Sequence, residues 1–211
     1  MTKQVFKLSP PIIIFGNGEI PHHPVALKIL KKASTIISLD GGSDKLISMG
    51  YIPDYIVGDM DSLKQNQSKY KGELILMKDQ SKTDLEKAIR WLINNKIDKL
   101  ELIGCSSGRD DHHFANLFLI EKFSKIIDIK MVTNWSLFYC LDGSKTFKSV
   151  PGQIVSIIPK NSNVKITTMG LKYSMKNEIL SSPSQGISNV ALGLSFSLDV
   201  SKPVWIIINH I

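Results

Sequence analysis

Arginine is scarce in this chain: of its 26 basic residues only Arg90 and Arg109 are arginines, and the lysines form no dense run. The formal net charge is +7, with +5 carried from Ser144 onward and +2 by the first 143 residues. A basic balance of this kind admits anionic ligands. But the basic residues are not interleaved with the stacking aromatics that single-strand binders use, so a nucleic-acid partner is not expected. Cysteine is nearly absent. Cys105 and Cys140 suit a reducing compartment, and two thiols cannot build a structural zinc site without other ligands. Long apolar runs are missing too. Stretches such as Val204–Ile208 are far too short to cross a bilayer, and MTKQVFKLSPPIIIF lacks the apolar core and cleavage site of a signal peptide. The expectation is a cytoplasmic protein with no membrane partner.

Within 211 residues, 43% hydrophobic and 21% charged, there is enough chain for one or two domains with a sizeable core. The chain is organised around Ile36–Leu63. Ile36–Leu39 and Tyr55–Val57 read as short buried strands, followed by Asp40-Gly41-Gly42 and by Gly58-Asp59-Met60-Asp61. The glycines let the chain turn as it leaves each strand. Ligands of open α/β sheets bind beyond the carboxyl ends of the strands, so Asp40, Asp59 and Asp61 are expected to converge on one crevice. An oxygen-only acidic cluster suits Mg²⁺ carrying a substrate phosphate. Taken singly, each Asp before or after a glycine is equally well a turn residue.

The flanking chain alternates strand and helix. Ile12–Phe15 predicts a strand, Pro24 the first turn of a helix through Leu30, and Ser43–Met49 a helix stopped by Gly50. His22-His23 reads as surface polar. Leu63–Lys71 reads as an exposed connection, and Glu73–Met77 as a strand. Thr83 and Glu86 form a capping-box pattern, with Leu85, Ala88, Ile89, Leu92 and Ile93 on one helical face. Asp84 at that helix start is either a residue opposing the dipole or a ligand at a strand-to-helix mouth. Lys99–Ile103 predicts another strand. The small-residue loop Gly104–Arg109 is neither a P-loop nor a dinucleotide fingerprint, but it can offer backbone N–H groups and a bidentate guanidinium to an anion. Asp111 and His112 read equally as first-turn residues. The following helix is expected to point Phe114, Leu117 and Phe118 inward, and Ile126–Val132 closes a mostly parallel, Rossmann-like sheet with helices on both faces.

After about Thr133 the pattern changes to short strands at 136–140, 146–147, 153–158, 164–168, 195–200 and 204–209, separated by Gly, Pro, Asn and Ser. This predicts a β-sandwich over residues 136–211 after an α/β domain over 1–135. Trp205, Ile207 and Asn209 share one strand face, and Val204, Ile206 and Ile208 the other. Trp205 therefore reads as bordering a site, although a tryptophan is more often core.

Taken in order, Asp40-Gly41-Gly42, Gly58–Ser62, Asp79–Asp84, Gly108–His112 with Asn116, Gly186–Asn189 and Trp205 resemble the thiamine pyrophosphokinase family across essentially the whole chain. The resemblance implies transfer of the diphosphate of ATP to the hydroxyethyl oxygen of thiamine, giving thiamine diphosphate and AMP. It implies a homodimer with sites at the subunit interface. It further implies that Asp59, Asp61 and Asp84 hold Mg²⁺ and phosphates, with Arg109 and Asp111 beside them. Asp40, Gly41, Gly42, Thr83 and His112 fall on the ATP side, and Ser188, Asn189 and Trp205 on the thiamine side. The chain departs from the family's pattern at Asp44, Ser81, Ser106-Ser107 and Val190. Three alternatives stay open from the residues alone: a pyrophosphokinase for a pterin alcohol, a metal-dependent nucleotide phosphohydrolase, and a non-catalytic nucleotide- or nucleic-acid-binding module.

Overall fold

The computed structural model describes residues 6–60 and 70–211. Asp61 and most of the connection expected at 63–71 lie outside the described residues. The chain divides into two compact units, Met1–Thr133 and Asn134–Ile211.

The first unit alternates strand and helix: β1 (Ile12–Phe15), α1 (Pro24–Lys31), β2 (Thr35–Leu39), α2 (Ser43–Ser48), β3 (Tyr55–Gly58), β4 (Glu73–Leu76), α3 (Asp84–Asn94), β5 (Lys99–Ile103), α4 (Asp110–Phe123) and β6 (Asp128–Val132). The strands run in the order β4-β3-β2-β1-β5-β6, every neighbouring pair parallel. Parallel strands need crossovers, and helices over the faces cover both sides of the sheet. Accordingly Ile12, Ile13, Ile14 and Phe15 of β1 are all buried. The direction of winding reverses at β1, between the β2 side and the β5 side. That is the switch point at which α/β sheets open a crevice.

Helix signals were legible to different degrees. Pro24 opens α1, and His23 Nδ1 accepts from the Val25 N–H at 3.3 Å. Thr83 caps α3, its hydroxyl accepting from the Glu86 N–H at 3.3 Å. The expected capping box is only half made, because the Glu86 carboxylate accepts instead from Arg90 and Lys122. On α4 the expected inward face is wrong: Phe114 and Phe118 are 63% and 52% exposed, while Ile120 and Phe123 are buried. Apolar and polar residues are spread around this helix with no segregated apolar face, so periodicity could not select its packed face. The two exposed rings pack edge to face at 5.0 Å. Among the described residues no helix is long and apolar enough to cross a membrane.

The second unit holds β7 (Ser136–Lys148), β8 (Ile154–Pro159), β9 (Lys165–Met169), β10 (Glu178–Ile179), β11 (Asn189–Val190) and β12 (Ser195–Asn209). Four of the short strands expected here are halves of two long ones. β7 and β12 pair antiparallel along almost their whole length, with a register shift between Val200 and Val204. The turn-forming residues Gly143 and Pro203 sit at this irregularity and bend the ribbon instead of ending it. The other edge of β12 pairs with β9 along Ser197–Val200 and with β8 along Val204–Ile208, and β8 pairs with β11. The halves enclose one core, from Leu141, Phe147, Val155, Ile157, Ile166, Phe196, Leu198, Val204, Ile206 and Ile208.

Candidate active site

In the first unit, five loops leave the carboxyl ends of parallel strands and line a cleft of about 420 Å³. Its floor is made by close backbone approach. The N–H groups of Gly16, Gly18 and Glu19 after β1 donate to the carbonyls of Ile103, Gly104 and Ser106 after β5, at 2.8, 2.6 and 3.0 Å. A Cβ on Gly18 would lie 2.2 Å from the Ser106 carbonyl oxygen, so this contact admits only glycine. Cys105, buried between these loops, has its thiol pushed up to about 12 by burial, so it stays a neutral structural thiol.

The acidic residues gather around the end of β3. Asp40 is buried in a single 3-10 turn after β2. A Cβ built on Gly58 would lie 2.7 Å from Asp40 Cβ and 3.2 Å from Asp84 Oδ2, so Gly58 is where these two residues come together. Asp59 follows directly, its Oδ2 accepting from Gln80 Nε2 at 2.7 Å. Met60 then turns the chain with φ of 67°, a left-handed conformation that is uncommon for a methionine. Asp84 Oδ1 accepts from Lys87 Nζ at 2.9 Å, one helical turn on.

On the opposite wall, Arg109 is already paired bidentately. Its Nε and Nη2 donate to the two Asp111 carboxylate oxygens at 3.1 and 2.6 Å, and the His112 N–H also donates to Asp111 Oδ1 at 2.8 Å. Hydrogen bonding from Arg109, then from His112, lowers the Asp111 carboxyl to about 2. Asn116 Nδ2 donates to the Cys105 carbonyl at 2.8 Å and ties α4 to the loop floor.

Of the residues expected on the nucleotide side, Gly41, Asp59, Thr83, Asp84, Arg109 and His112 line the cleft together. Asp40 lies behind Gly58. Gly42 packs on the Gly16 backbone, and Asp111 acts on Arg109. Asp61 is outside the described residues. Sequence reasoning missed Asn17, Gln80, Lys82, Lys87 and His113 in the lining. Lys87 carried a usable signal: a lysine three residues after Asp84, on the apolar side of α3.

Among the described residues no three His, Cys, Asp or Glu side chains form a metal cluster by themselves. Mg²⁺ does not need one, since it commonly uses one or two carboxylates plus phosphate oxygens and water. Asp59 and Asp84, both oxygen donors lining the cleft, fit that requirement.

In the second unit, Val204, Ile206 and Ile208 of β12 are buried, while Trp205, Ile207 and Asn209 are half-buried on the other face. Trp205 lies opposite Cys140 on β7 and Ile158 on β8. Ser188 is exposed with φ of 63°, and its N–H donates to Ser156 Oγ at 3.1 Å. Asn189 is buried and its side chain is fully engaged. Oδ1 accepts from the N–H groups of Tyr173 and Val190, and Nδ2 donates to the Tyr173 carbonyl at 2.7 Å. It holds the Tyr173 loop against β11.

The family model for the thiamin pyrophosphokinase catalytic domain matches residues 26–133, and that for the thiamin pyrophosphokinase vitamin B1 binding domain matches residues 145–205. The chain belongs to the thiamine pyrophosphokinase family. A similar curated relative is thiamine pyrophosphokinase 1 of Oryza sativa subsp. japonica, 29% identical over 154 residues. That match takes in 64% of this chain and 57% of the rice protein, so the chain spans little more than half of that relative. The thiamine pyrophosphokinase crystal structure from Bacillus subtilis superposes with a TM-score of 0.80 at 23% identity, over 94% of this chain and 98% of that one. That from Geobacillus thermodenitrificans gives 0.76 at 26% identity, over 95% and 97%. Family members therefore share the α/β unit followed by the β-rich unit.

Proposed function

We propose that this protein is a thiamine diphosphokinase, transferring the β,γ-diphosphate of ATP to the hydroxyethyl oxygen of thiamine and releasing AMP. The observation that carries this reading is the cleft beyond the parallel strands, in a chain matched by both of the family's domain models. Its backbone-lined floor, two carboxylates and one guanidinium are what a polyphosphate requires.

The chemistry is mainly positioning and charge neutralisation. The loops after β1 and β5, fixed to each other by backbone hydrogen bonds, form a rigid seat for the phosphates. Asp59 and Asp84 would hold Mg²⁺, which when bound supplies neutralising charge on the phosphate oxygens. Gln80 orients the Asp59 carboxylate, and Lys87 that of Asp84. Arg109, pre-set by Asp111, offers its guanidinium to charge developing at the transferred group. The thiamine alcohol attacks the β-phosphorus in line with departing AMP.

On the acceptor side, Trp205 offers an indole face to the cationic thiazolium. Ser188 and Asn189 shape that region, Asn189 through the Tyr173 loop. Mg²⁺ dependence, a cytoplasmic location and assembly as a homodimer with sites at the subunit interface belong to the same proposal. Incubation with ATP, Mg²⁺ and thiamine tests it. Thiamine diphosphate and AMP in equal amounts are expected, and thiamine-independent ATP hydrolysis, or no reaction with thiamine, would overturn it.

A further inference from the structure

We propose that Lys87 is a direct phosphate ligand in the cleft, a role that rests on the nucleotide-binding reading above. Its side chain is 5% exposed and projects from α3 into the cleft lining. An ammonium carries three N–H donors and is costly to bury unless they are satisfied. Among the described residues its only hydrogen-bond acceptor is Asp84 Oδ1 at 2.9 Å. Two other lysines near this edge of the sheet are better satisfied. Lys45 Nζ donates to the carbonyls of Asn17 and Gly18 at 2.6 and 2.7 Å. Lys82 Nζ donates to Asp79 Oδ2 and Ser81 Oγ at 2.5 and 3.1 Å, and is 31% exposed to water.

Lys87 thus combines the deepest burial with the fewest acceptors, and its unused donors belong to a side chain lining the cleft. The acceptor that completes its shell is an anionic oxygen entering the cleft, which a polyphosphate supplies in quantity. Asp84 then has a second task. It keeps the ammonium aimed while the phosphates are absent, so the cation is in place before they arrive. A lysine acts here as a compact point charge, complementing the planar fork of Arg109 on the other wall.

The test compares wild type with Lys87→Met, which keeps the apolar stem and removes the charge. Binding of inorganic triphosphate, of MgATP and of thiamine is measured by calorimetry alongside melting temperature. Loss of a charged hydrogen bond predicts roughly tenfold or greater weakening for triphosphate and MgATP, with thiamine binding and melting temperature nearly unchanged. Unaltered triphosphate binding in a folded Lys87→Met variant overturns the Lys87 role while leaving the nucleotide reading intact. A wild type that binds neither triphosphate nor MgATP overturns both. A measurement without any variant guards against failure to fold: in ¹⁵N-lysine-labelled wild type, the Lys87 ammonium resonance is expected to shift on adding inorganic triphosphate. An unmoved resonance at saturation overturns the proposal.

Discussion

In the first unit, core and cleft occupy different stretches of chain: β1 and β3 are buried from end to end, and the cleft residues sit on the loops and helix starts beyond the strands. In the second unit, core and candidate site alternate along one strand, with Ile206 buried and its neighbour Trp205 half-exposed on the opposite face. The difference follows from sheet type. A parallel sheet covered on both faces leaves only its strand ends for ligands, whereas an antiparallel sheet can present a whole face. Substitutions should therefore separate activity from stability by loop position in the first unit and by residue parity in the second.

The largest effects are expected at the carboxylates. Asp59→Asn and Asp84→Asn each remove negative charge a hard cation needs, and turnover should fall roughly a hundredfold or more with little change in melting temperature. For Asp84 a small drop in both quantities would return it to a helix-terminal role.

The parity contrast comes next. Ile206→Ala opens a cavity in the β-rich core and should cost about 2–5 kcal/mol in denaturant unfolding. Trp205→Ala, one residue away, should leave stability nearly unchanged and weaken thiamine binding by about 0.5–2 kcal/mol. Equal destabilisation by the two would erase the distinction.

Gly58→Ala sharpens the first-unit rule, since the new methyl would press on Asp40 and Asp84. Overpacking of this kind costs about 1–3 kcal/mol, and turnover should drop by more than the stability loss explains. The smallest effect concerns Asp111. Its folded-state carboxyl is lowered to about 2 from 3.8, so the Arg109 interaction contributes above about pH 4 and is lost as pH falls through about 2. Carboxyl NMR should place its midpoint near 2, and Arg109→Ala should return it towards 3.8.

Much of this arrangement was legible in the sequence because local rules and tertiary packing agreed. The run Ile12–Phe15, Pro24, Thr83 and the alternation at Val204–Asn209 each announced its element or face. Agreement failed where a pattern was degenerate. Helix α4, whose apolar residues are not gathered on one face, could not say that Phe114 and Phe118 face outward. Gly143 and Pro203 looked like strand ends, yet the continuous pairing of β7 with β12 absorbs them as a bend. Within the cleft, carboxylates were visible because glycines punctuate them. Gln80 was not, since its importance lies in a contact with Asp59, 21 residues away, that spacing does not encode, whereas Lys87 was marked only by its place one helical turn after Asp84.

The central claim is that the α/β unit handles the phosphates and the β-rich unit selects the acceptor. The most direct measurement is calorimetric titration of Asp59→Asn and Trp205→Ala with MgATP and with thiamine. The account predicts a double dissociation: Asp59→Asn weakens MgATP binding and keeps thiamine binding, and Trp205→Ala weakens thiamine binding and keeps MgATP binding. Loss of both ligands to the same extent in either folded variant would contradict it.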